Sequence, residues 1–96
     1  SAVSLTIQLE GTNTVSGWSG IFVHADDGAA SLSISGTDSL ATEGTGGISF
    51  SGIVVQGNGG KAELTINNVD VTATNTSDYA QGILLQSADS SPQPLP

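Results

Sequence analysis

Oxygen-rich turns recur along this chain and are its clearest candidates for metal chemistry. The stretches 26–28 (DDG), 58–60 (NGG) and 89–90 (DS) each follow an apolar segment that begins with Gly-Ile. Calcium takes about six to eight oxygen ligands, and turns stacked on one another could supply them. The sequence thus indicates a candidate calcium site with Asp26, Asp27 and Asn58 as ligands. The same residues also form ordinary turns by bonding their own backbone, and no DxDxDG spacing accompanies them.

A second candidate calcium position comes from an internal repeat. Residues 32–44 (LSISGTDSLATEG) superpose without a gap on residues 64–76 (LTINNVDVTATNT), which places Asp38 on Asp70. Carboxylates stacked on neighbouring strands repel each other, and a bound cation would relieve the repulsion. Asp38 and Asp70 are therefore further predicted ligands, with Glu43 and Asn13 at nearby equivalent positions.

Groups for acid–base or nucleophilic chemistry are scarce. The chain has one His (His24), one Lys (Lys61), no Arg and no Cys. Asp26 and Asp27 are adjacent, and adjacent residues of a strand point to opposite faces, so they make a weak carboxylate pair for hydrolysis. We expect no enzymatic activity, and we expect His24 to be an exposed residue beside a turn.

The aromatic residues indicate a binding face. Trp18 and Phe50 each lie two residues before a Gly-Ile pair, and Tyr79 lies near the third such pair. A flat aromatic ring gives a sugar apolar contact with polar groups at its edge, so Trp18, Phe50 and Tyr79 are the predicted sugar-binding residues. The predicted outward apolar stripe consists of Trp18, Phe22, Phe50, Val54 and Leu84. Such a stripe can also be covered by a loop or a second copy. We expect a loop or a second copy to cover the stripe, and we expect sugar to bind to the wider face around it.

The elements that position these residues follow from the repeat. Gly20, Gly52 and Gly82 each precede Ile, at steps of 32 and 30 residues, a period typical of stacked repeats. The segments between them alternate apolar and small polar residues and are rich in β formers. Residues 1–89 are therefore predicted to form a parallel β-helix of about three rungs, whole or part of a longer one. A small β-sandwich is the alternative fold. The predicted inward ladders are Ile21/Ile53/Ile83, Val23/Val55/Leu85, Leu32/Leu64 and Ile34/Ile66.

The composition of the chain favours some classes of binding partner over others. The net charge is −8, which disfavours nucleic acid and anionic membranes and is compatible with divalent cations or neutral sugars. The Ser/Thr/Gly-rich, Lys-poor composition suggests a secreted or cell-surface protein. The tail 90–96 (SSPQPLP) has the composition of a linker, because Pro cannot join a sheet ladder. The sequence begins without Met, and we expect a trimmed or excised segment.

Several of these stretches resemble a known family. GTNTVSG (11–17), GTDSLATEG (36–44), SLSI (31–34) and ELTI (63–66), with the Gly-Ile pairs, are similar to the bacterial cell-surface carbohydrate-binding β-helix domains of cellulolytic clostridia. The resemblance covers residues 5–86. It implies a right-handed parallel β-helix related to polysaccharide lyases. It also implies binding rather than cleavage of plant cell-wall polysaccharide, with calcium as a candidate cofactor.

Two functions from different classes follow. The first is a non-catalytic carbohydrate-binding module or adhesin on a bacterial surface, with polysaccharide as its partner. The second is a structural, self-associating β-solenoid segment of a surface or stalk protein. Exposed strand edges at the ends of a solenoid pair readily with other chains. Copies are therefore expected to associate through the solenoid ends or the apolar stripe.

Overall fold

The part of the chain that the structure describes contains seven β-strands. A computed structural model describes residues 2–47, 50–77 and 81–88. The strands are Val3–Leu9 (β1), Thr12–Gly17 (β2), Ile21–Gly36 (β3), Ser39–Gly44 (β4), Ile53–Asn67 (β5), Asp70–Asn75 (β6) and Ile83–Ala88 (β7). None of the described residues is helical, as the abundance of Gly, Thr, Ser and β-branched residues predicts.

The strands form two parallel sheets. One has four strands in the order β1-β3-β5-β7, and the other has three in the order β2-β4-β6. Every neighbouring pair is parallel. The chain therefore leaves the first sheet, adds a strand to the second, and returns to the first one position further on. The all-β class and the parallel pairing are confirmed, and the antiparallel sandwich alternative is wrong for these strands.

Register in the four-stranded sheet follows the repeat. Ile21 pairs with Ile53 and Ile53 with Ile83, while Val23 pairs with Val55 and Val55 with Leu85. The same sheet also contains the pairs Leu32–Leu64 and Ile34–Ile66. Side chains alternate between the two faces of a strand, so in-register pairing keeps all of these apolar residues on one face. The predicted ladders are confirmed as pairings.

Two of the predicted oxygen-rich turns, 26–28 and 58–60, lie in the middle of the long strands β3 and β5. Pairing shifts between Ala25 and Ala30, where Gly28 lies opposite Gly59. Gly28 has φ 152° and Gly59 has φ 103°, a region that residues with a Cβ rarely occupy. β3 and β5 are therefore each two straight segments joined at an irregularity, which is where a bulge bends a strand.

Register in the three-stranded sheet differs from the prediction. Asp70 pairs with Ser39, not with Asp38, so the predicted Asp38/Asp70 ladder is wrong. The turn before β6 is one residue shorter than the turn before β4. Asn68 at φ 61° and Asp38 at φ 78° make these two turns, and Asn and Asp tolerate that left-handed conformation better than most residues.

The first copy of the repeat has a register that matching residue types would not predict. Matching GTNTV (11–15) to GTDSL (36–40) would place Gly11 on Gly36, but Thr12 pairs with Ser39. Gly11, at φ 76°, therefore lies at the same turn position as Asp38. The Gly11 carbonyl accepts a hydrogen bond from the Ser39 amide at 3.4 Å. Both turns therefore contain a residue in the left-handed conformation, Gly11 in one turn and Asp38 in the other.

The hydrophobic core lies between the sheets. Its buried members are Val23, Ala25, Ala30, Leu32, Ile34, Leu40, Ile53, Val55 and Val69. In the isoleucine ladder the middle residue is buried completely: Ile53 is fully buried, whereas Ile83 is 39% exposed. The prediction that the whole Ile21/Ile53/Ile83 ladder is buried is therefore right at Ile53 and wrong at Ile83, because Ile83 lies on an edge strand with no neighbour beyond it.

Close contact between the sheets explains the repeated glycines. A Cβ on Gly52 would lie 2.9 Å from Thr42 Oγ1 and 2.9 Å from the Thr74 backbone nitrogen. A Cβ on Gly20 would lie 2.8 Å from Thr42 Cβ, and one on Gly82 would overlap the Ala73 carbonyl oxygen. The Gly before each Ile therefore recurs because the first sheet crosses the second at that point with no room for a side chain.

The ladder gives a matched pair of core truncations. Ile53→Ala should lower the free energy of unfolding by about 2–5 kcal/mol, because the cavity it leaves is fully enclosed. Ile83→Ala removes the same atoms from a partly exposed ladder position and should cost clearly less. Urea unfolding of both variants measures the difference. Equal losses would contradict the burial pattern.

Candidate functional site

The outward side of β3, β5 and β7 carries two parallel ladders. Phe22 pairs with Val54 and Val54 with Leu84; two residues on, His24 pairs with Gln56 and Gln56 with Gln86. Because Val23 and Val55 point into the core, the residues that alternate with them lie on the opposite side. We call this side of the three strands the outer face.

Side-chain hydrogen bonds join the polar ladder across the strands. His24 Nδ1 lies 2.9 Å from Gln56 Oε1, and Gln56 Nε2 donates to Gln86 Oε1 at 2.7 Å. His24 Nε2 lies 2.9 Å from Asp26 Oδ1. His24 is exposed, as predicted, and its ring is held by these contacts on two sides. Bonded in this way, the amide groups keep fixed positions at the spacing of neighbouring strands, about 4.8 Å.

A cavity of about 260 Å³ lies against this polar ladder. It is lined by His24, Gln56, Gly57, Asn58 and Gln86. Its side-chain donors and acceptors are an imidazole and amides, groups that can both give and accept hydrogen bonds. The cavity therefore suits a neutral, hydroxyl-bearing ligand better than a strongly charged one. A larger cavity of about 710 Å³ lies elsewhere, beside Gln8, Leu9, Glu10, Gly36 and Thr37, and contains none of the predicted site residues.

Exposed aromatic rings border the outer face. Trp18 is 70% exposed and Phe22 is 47% exposed. Trp18 contacts the half-buried Phe50 edge-to-face, with ring centroids 5.2 Å apart and planes at 72°, so two of the predicted sugar-binding rings lie together. Trp18 presents its ring to solvent, whereas we expected a loop or a second copy to cover it. Only cover by a second copy remains a prediction.

One member of the predicted apolar stripe is not on the surface. Val54 is fully buried although it shares a ladder with Phe22. Leu84, next in that ladder, is partly buried. The stripe is therefore not one continuous exposed patch. Tyr79, the third predicted sugar-binding residue, lies outside the described residues.

Backbone hydrogen bonds fix the position of Trp18. Its carbonyl accepts from the amides of Thr45 at 3.1 Å and Gly46 at 3.2 Å. A Cβ on Gly46 would lie 2.9 Å from the Phe50 ring and 3.1 Å from Trp18 Cβ, so the 45–46 backbone packs tightly against the ring pair. Trp18 is exposed but held in place, which reduces the entropy lost when a ligand stacks on it.

Asn75 holds the segment that carries Phe50. Its Nδ2 donates to the carbonyls of Gly47 at 3.0 Å and Phe50 at 2.7 Å, and its Oδ1 accepts from the Ser77 amide at 2.7 Å. Asn75 is not among the site residues predicted from the sequence. No spacing in the sequence could have indicated bonds to carbonyls 25 and 28 positions away.

The first set of predicted calcium ligands lies at the irregularity between β3 and β5. Asp26 is hydrogen-bonded to His24, and Asp27 Oδ1 approaches Gly59 of the next strand. Asn58 pairs with Ala88 of β7, and on the β3 side it falls within the register shift that contains Asp26 and Asp27, between the pairs Ala25–Gly57 and Gly28–Gly59. Among the residues with described positions, no three His, Asp or Glu side chains come together to hold a metal ion. The third predicted turn, 89–90, lies outside the described residues.

The second calcium position lacks its acidic ladder. Asp38 and Asp70 are joined through the backbone, with the Asp70 amide donating to the Asp38 carbonyl at 3.0 Å. Glu43 pairs with Ser16 and Thr74 instead of an acid. Asn13 Nδ2 donates to the Gly11 carbonyl at 3.0 Å, which is the local turn role that such residues commonly play. The described residues therefore form no ladder of acids at this second position.

Compared with known proteins, the chain matches no family model, no curated protein and no solved structure. Within the described ranges there is no helix long and apolar enough to span a membrane. The function must therefore be argued from the outer face of this chain itself.

The single tryptophan makes the Asn75 contacts measurable. Asn75→Ala should release the segment around Phe50, shift Trp18 fluorescence to longer wavelength and lower its anisotropy. Loss of buried hydrogen bonds should also lower the free energy of unfolding by about 1–3 kcal/mol. Asn67→Ala, at an exposed Asn of β5, is the control and should change neither. Unchanged Trp18 fluorescence in Asn75→Ala would contradict this role.

Proposed function

We propose that the two sheets close into a right-handed parallel β-helix. Support comes from the path of the chain, which alternates between the sheets and adds one parallel strand to each in turn. Crossover connections between parallel strands of one sheet are right-handed in nearly all proteins. The core residue Leu40 of the second sheet clusters with Leu32 and Ile53 of the first, as the shared interior of such a helix requires.

We propose further that the outer face binds a neutral polysaccharide of the plant cell wall, without cleaving it. The observation that carries this proposal is the hydrogen-bonded ladder of His24, Gln56 and Gln86 beside exposed aromatic rings. Amide and imidazole groups can hydrogen-bond sugar hydroxyls, while Phe22 and Trp18 offer apolar contact to the faces of sugar rings.

The repeating spacing suits a polymer. Equivalent groups recur from strand to strand at about 4.8 Å, so a chain lying across β3, β5 and β7 meets similar donors and acceptors along its length. Because the amides already bond to one another, few side-chain rotamers are lost on binding. A binding face of this kind is typical of modules that hold a polymer, and we propose a secreted or cell-surface location in a bacterium.

Charge favours a neutral ligand. The net charge of −8 and Asp26, whose side chain is 93% exposed beside His24, repel polyanions. Binding to a neutral polymer should therefore depend little on salt, in contrast to binding that depends on ion pairs.

Truncating the aromatic rings tests the binding face. Trp18→Ala and Phe22→Ala should each weaken retention of the protein on neutral plant cell-wall polysaccharide by about tenfold, equivalent to ~1.4 kcal/mol. Val15→Ala, at a 38% exposed apolar residue of the other sheet, is the control and should bind normally. Affinity electrophoresis across a polysaccharide panel measures the change.

Melting curves of the same variants separate binding from folding. Trp18 is 70% exposed and Phe22 is 47% exposed, so their removal should change the melting temperature little. Full retention of Trp18→Ala and Phe22→Ala on every polysaccharide that holds the parent would refute the proposal.

The proposed polysaccharide binding does not involve calcium, and calcium binding is tested by a separate experiment. If a calcium ion does bind Asp26, Asp27 and Asn58, chelator should lower the melting temperature and millimolar calcium should raise it, because a ligand of the native state stabilises it. Asp27→Asn with Asn58→Ala should abolish that response. A melting curve that is identical in chelator and in calcium would reject calcium binding.

A further inference from the structure

Most exposed apolar side chains outside the outer face lie on strand edges. Besides Trp18 and Phe22, the large apolar residues with substantial exposure are Val3, Leu5, Val15, Ile66, Ile83 and Leu85. All six lie where a strand has a neighbour on one side only. Leu5 pairs with the buried Leu32, and Leu85 pairs with the buried Val55. These residues therefore occupy core positions at the ends of ladders, where no further strand covers their side chains.

These residues define two ends of the molecule. The leading edge consists of β1, β2 and the Ile21–Ala25 part of β3. The trailing edge consists of β7, β6 and the Ala62–Asn67 part of β5. Among the described residues, each edge thus presents three parallel segments that have no strand neighbour on their outer side, which is a template for adding another chain.

The two edges complement each other in register. Continuing the pairing of β1 with β3 and of β3 with β5 by one more strand sets Leu64 on Leu5 and Ile66 on Ile7 of a second copy. The other segments likewise set Ile83 on Ile21, and Leu85 on Val23. These are the residue pairs that already stack inside the chain: Leu5 on Leu32, Ile7 on Ile34, Ile21 on Ile53 and Val23 on Val55.

The number of strands on each edge and the charges of the residues that would face each other are also compatible with this contact. Each part of the framework is three strands deep, so all three segments of one edge meet their counterparts together. In the same register, Glu63 meets Ser4 and Asp70 meets Thr12, and no acid in these strands faces another acid despite a net charge of −8. Gln86 meets His24, which continues the polar ladder of the outer face.

We propose that copies of this chain associate head to tail, trailing edge onto leading edge, by parallel strand pairing. The contact extends the interface that already joins the strands within the chain, with the same ladders and the same register. Because it joins two different surfaces and does not close into a ring, it generates linear stacks. This inference stands on the edges alone and does not depend on sugar binding.

Two variants with one blocked edge each test the direction of pairing. Leu5→Lys places a charge on the leading edge, and Leu85→Lys places one on the trailing edge; both residues are more than 40% exposed, so the Lys head group can reach solvent. Sedimentation velocity should show the parent in concentration-dependent multimers and each variant as a monomer. An equimolar mixture should form heterodimers and nothing larger, because only one intact edge of each kind remains.

The mixture also serves as the folding control, since only folded variants can pair, and circular dichroism of each variant confirms its strand content. Glu43→Gln, at an exposed residue of β4, which has a paired strand on each side, should associate like the parent. A parent that stays monomeric at its solubility limit would overturn the proposal, and would assign the edges to another segment or partner. Dimers formed by Leu85→Lys alone, or a mixture that remains monomeric, would also overturn it, because either result excludes head-to-tail pairing.

Discussion

In-register stacking of parallel strands is the constraint on which the rest of this structure depends. Once Ile53 lies between Ile21 and Ile83, every second residue along these strands is committed to the core and the others to the outer face. The crossing point with the second sheet is fixed as well, since Gly52 contacts Thr42 and the Thr74 backbone there. One register therefore determines the core, the glycine positions and the composition of the outer face.

The same stacking places equivalent polar side chains in a row across neighbouring strands. An isolated Gln on a surface strand would be a mobile side chain, but Gln56 is hydrogen-bonded on both sides, to His24 and to Gln86. The strands thereby hold polar groups in a line beside the Phe22 and Trp18 rings. Such a row of equivalent groups is the arrangement on which the proposed binding of an extended ligand depends. The cost of this architecture is two open edges that leave Leu5 and Leu85 exposed.

The sequence predicted the pairing of β3, β5 and β7 but not the register of the second sheet, and the reason is turn length. A step of 32 residues relates β3 to β5 on either side of the irregularity at Gly28, so matching residue types reveals the register of Leu32 with Leu64 directly. The turn at Asn68 is one residue shorter than the turn at Asp38, and a gapless alignment cannot show this. That single residue separates the predicted Asp38/Asp70 ladder from the observed pairing of Asp70 with Ser39.

Site features that arise from tertiary contacts were beyond the reach of residue patterns. Placing Trp18 and Phe50 at one position correctly anticipated their contact, because equivalent repeat positions become neighbours in space. The burial of Val54 could not be inferred from strand alternation, which assigns it to the outward side. Asn75 bonds carbonyls in a distant segment, and a side chain that bonds the backbone imposes no residue type on its partner.

The register itself can be measured directly by nuclear Overhauser contacts in isotope-labelled protein. This account predicts that Ile53 shows cross-strand contacts to both Ile21 and Ile83, and that Leu40 shows them to Val71. Contacts of Leu40 to Thr72 in place of Val71, or the close Hα–Hα contacts of antiparallel strands between β3 and β5, would contradict it.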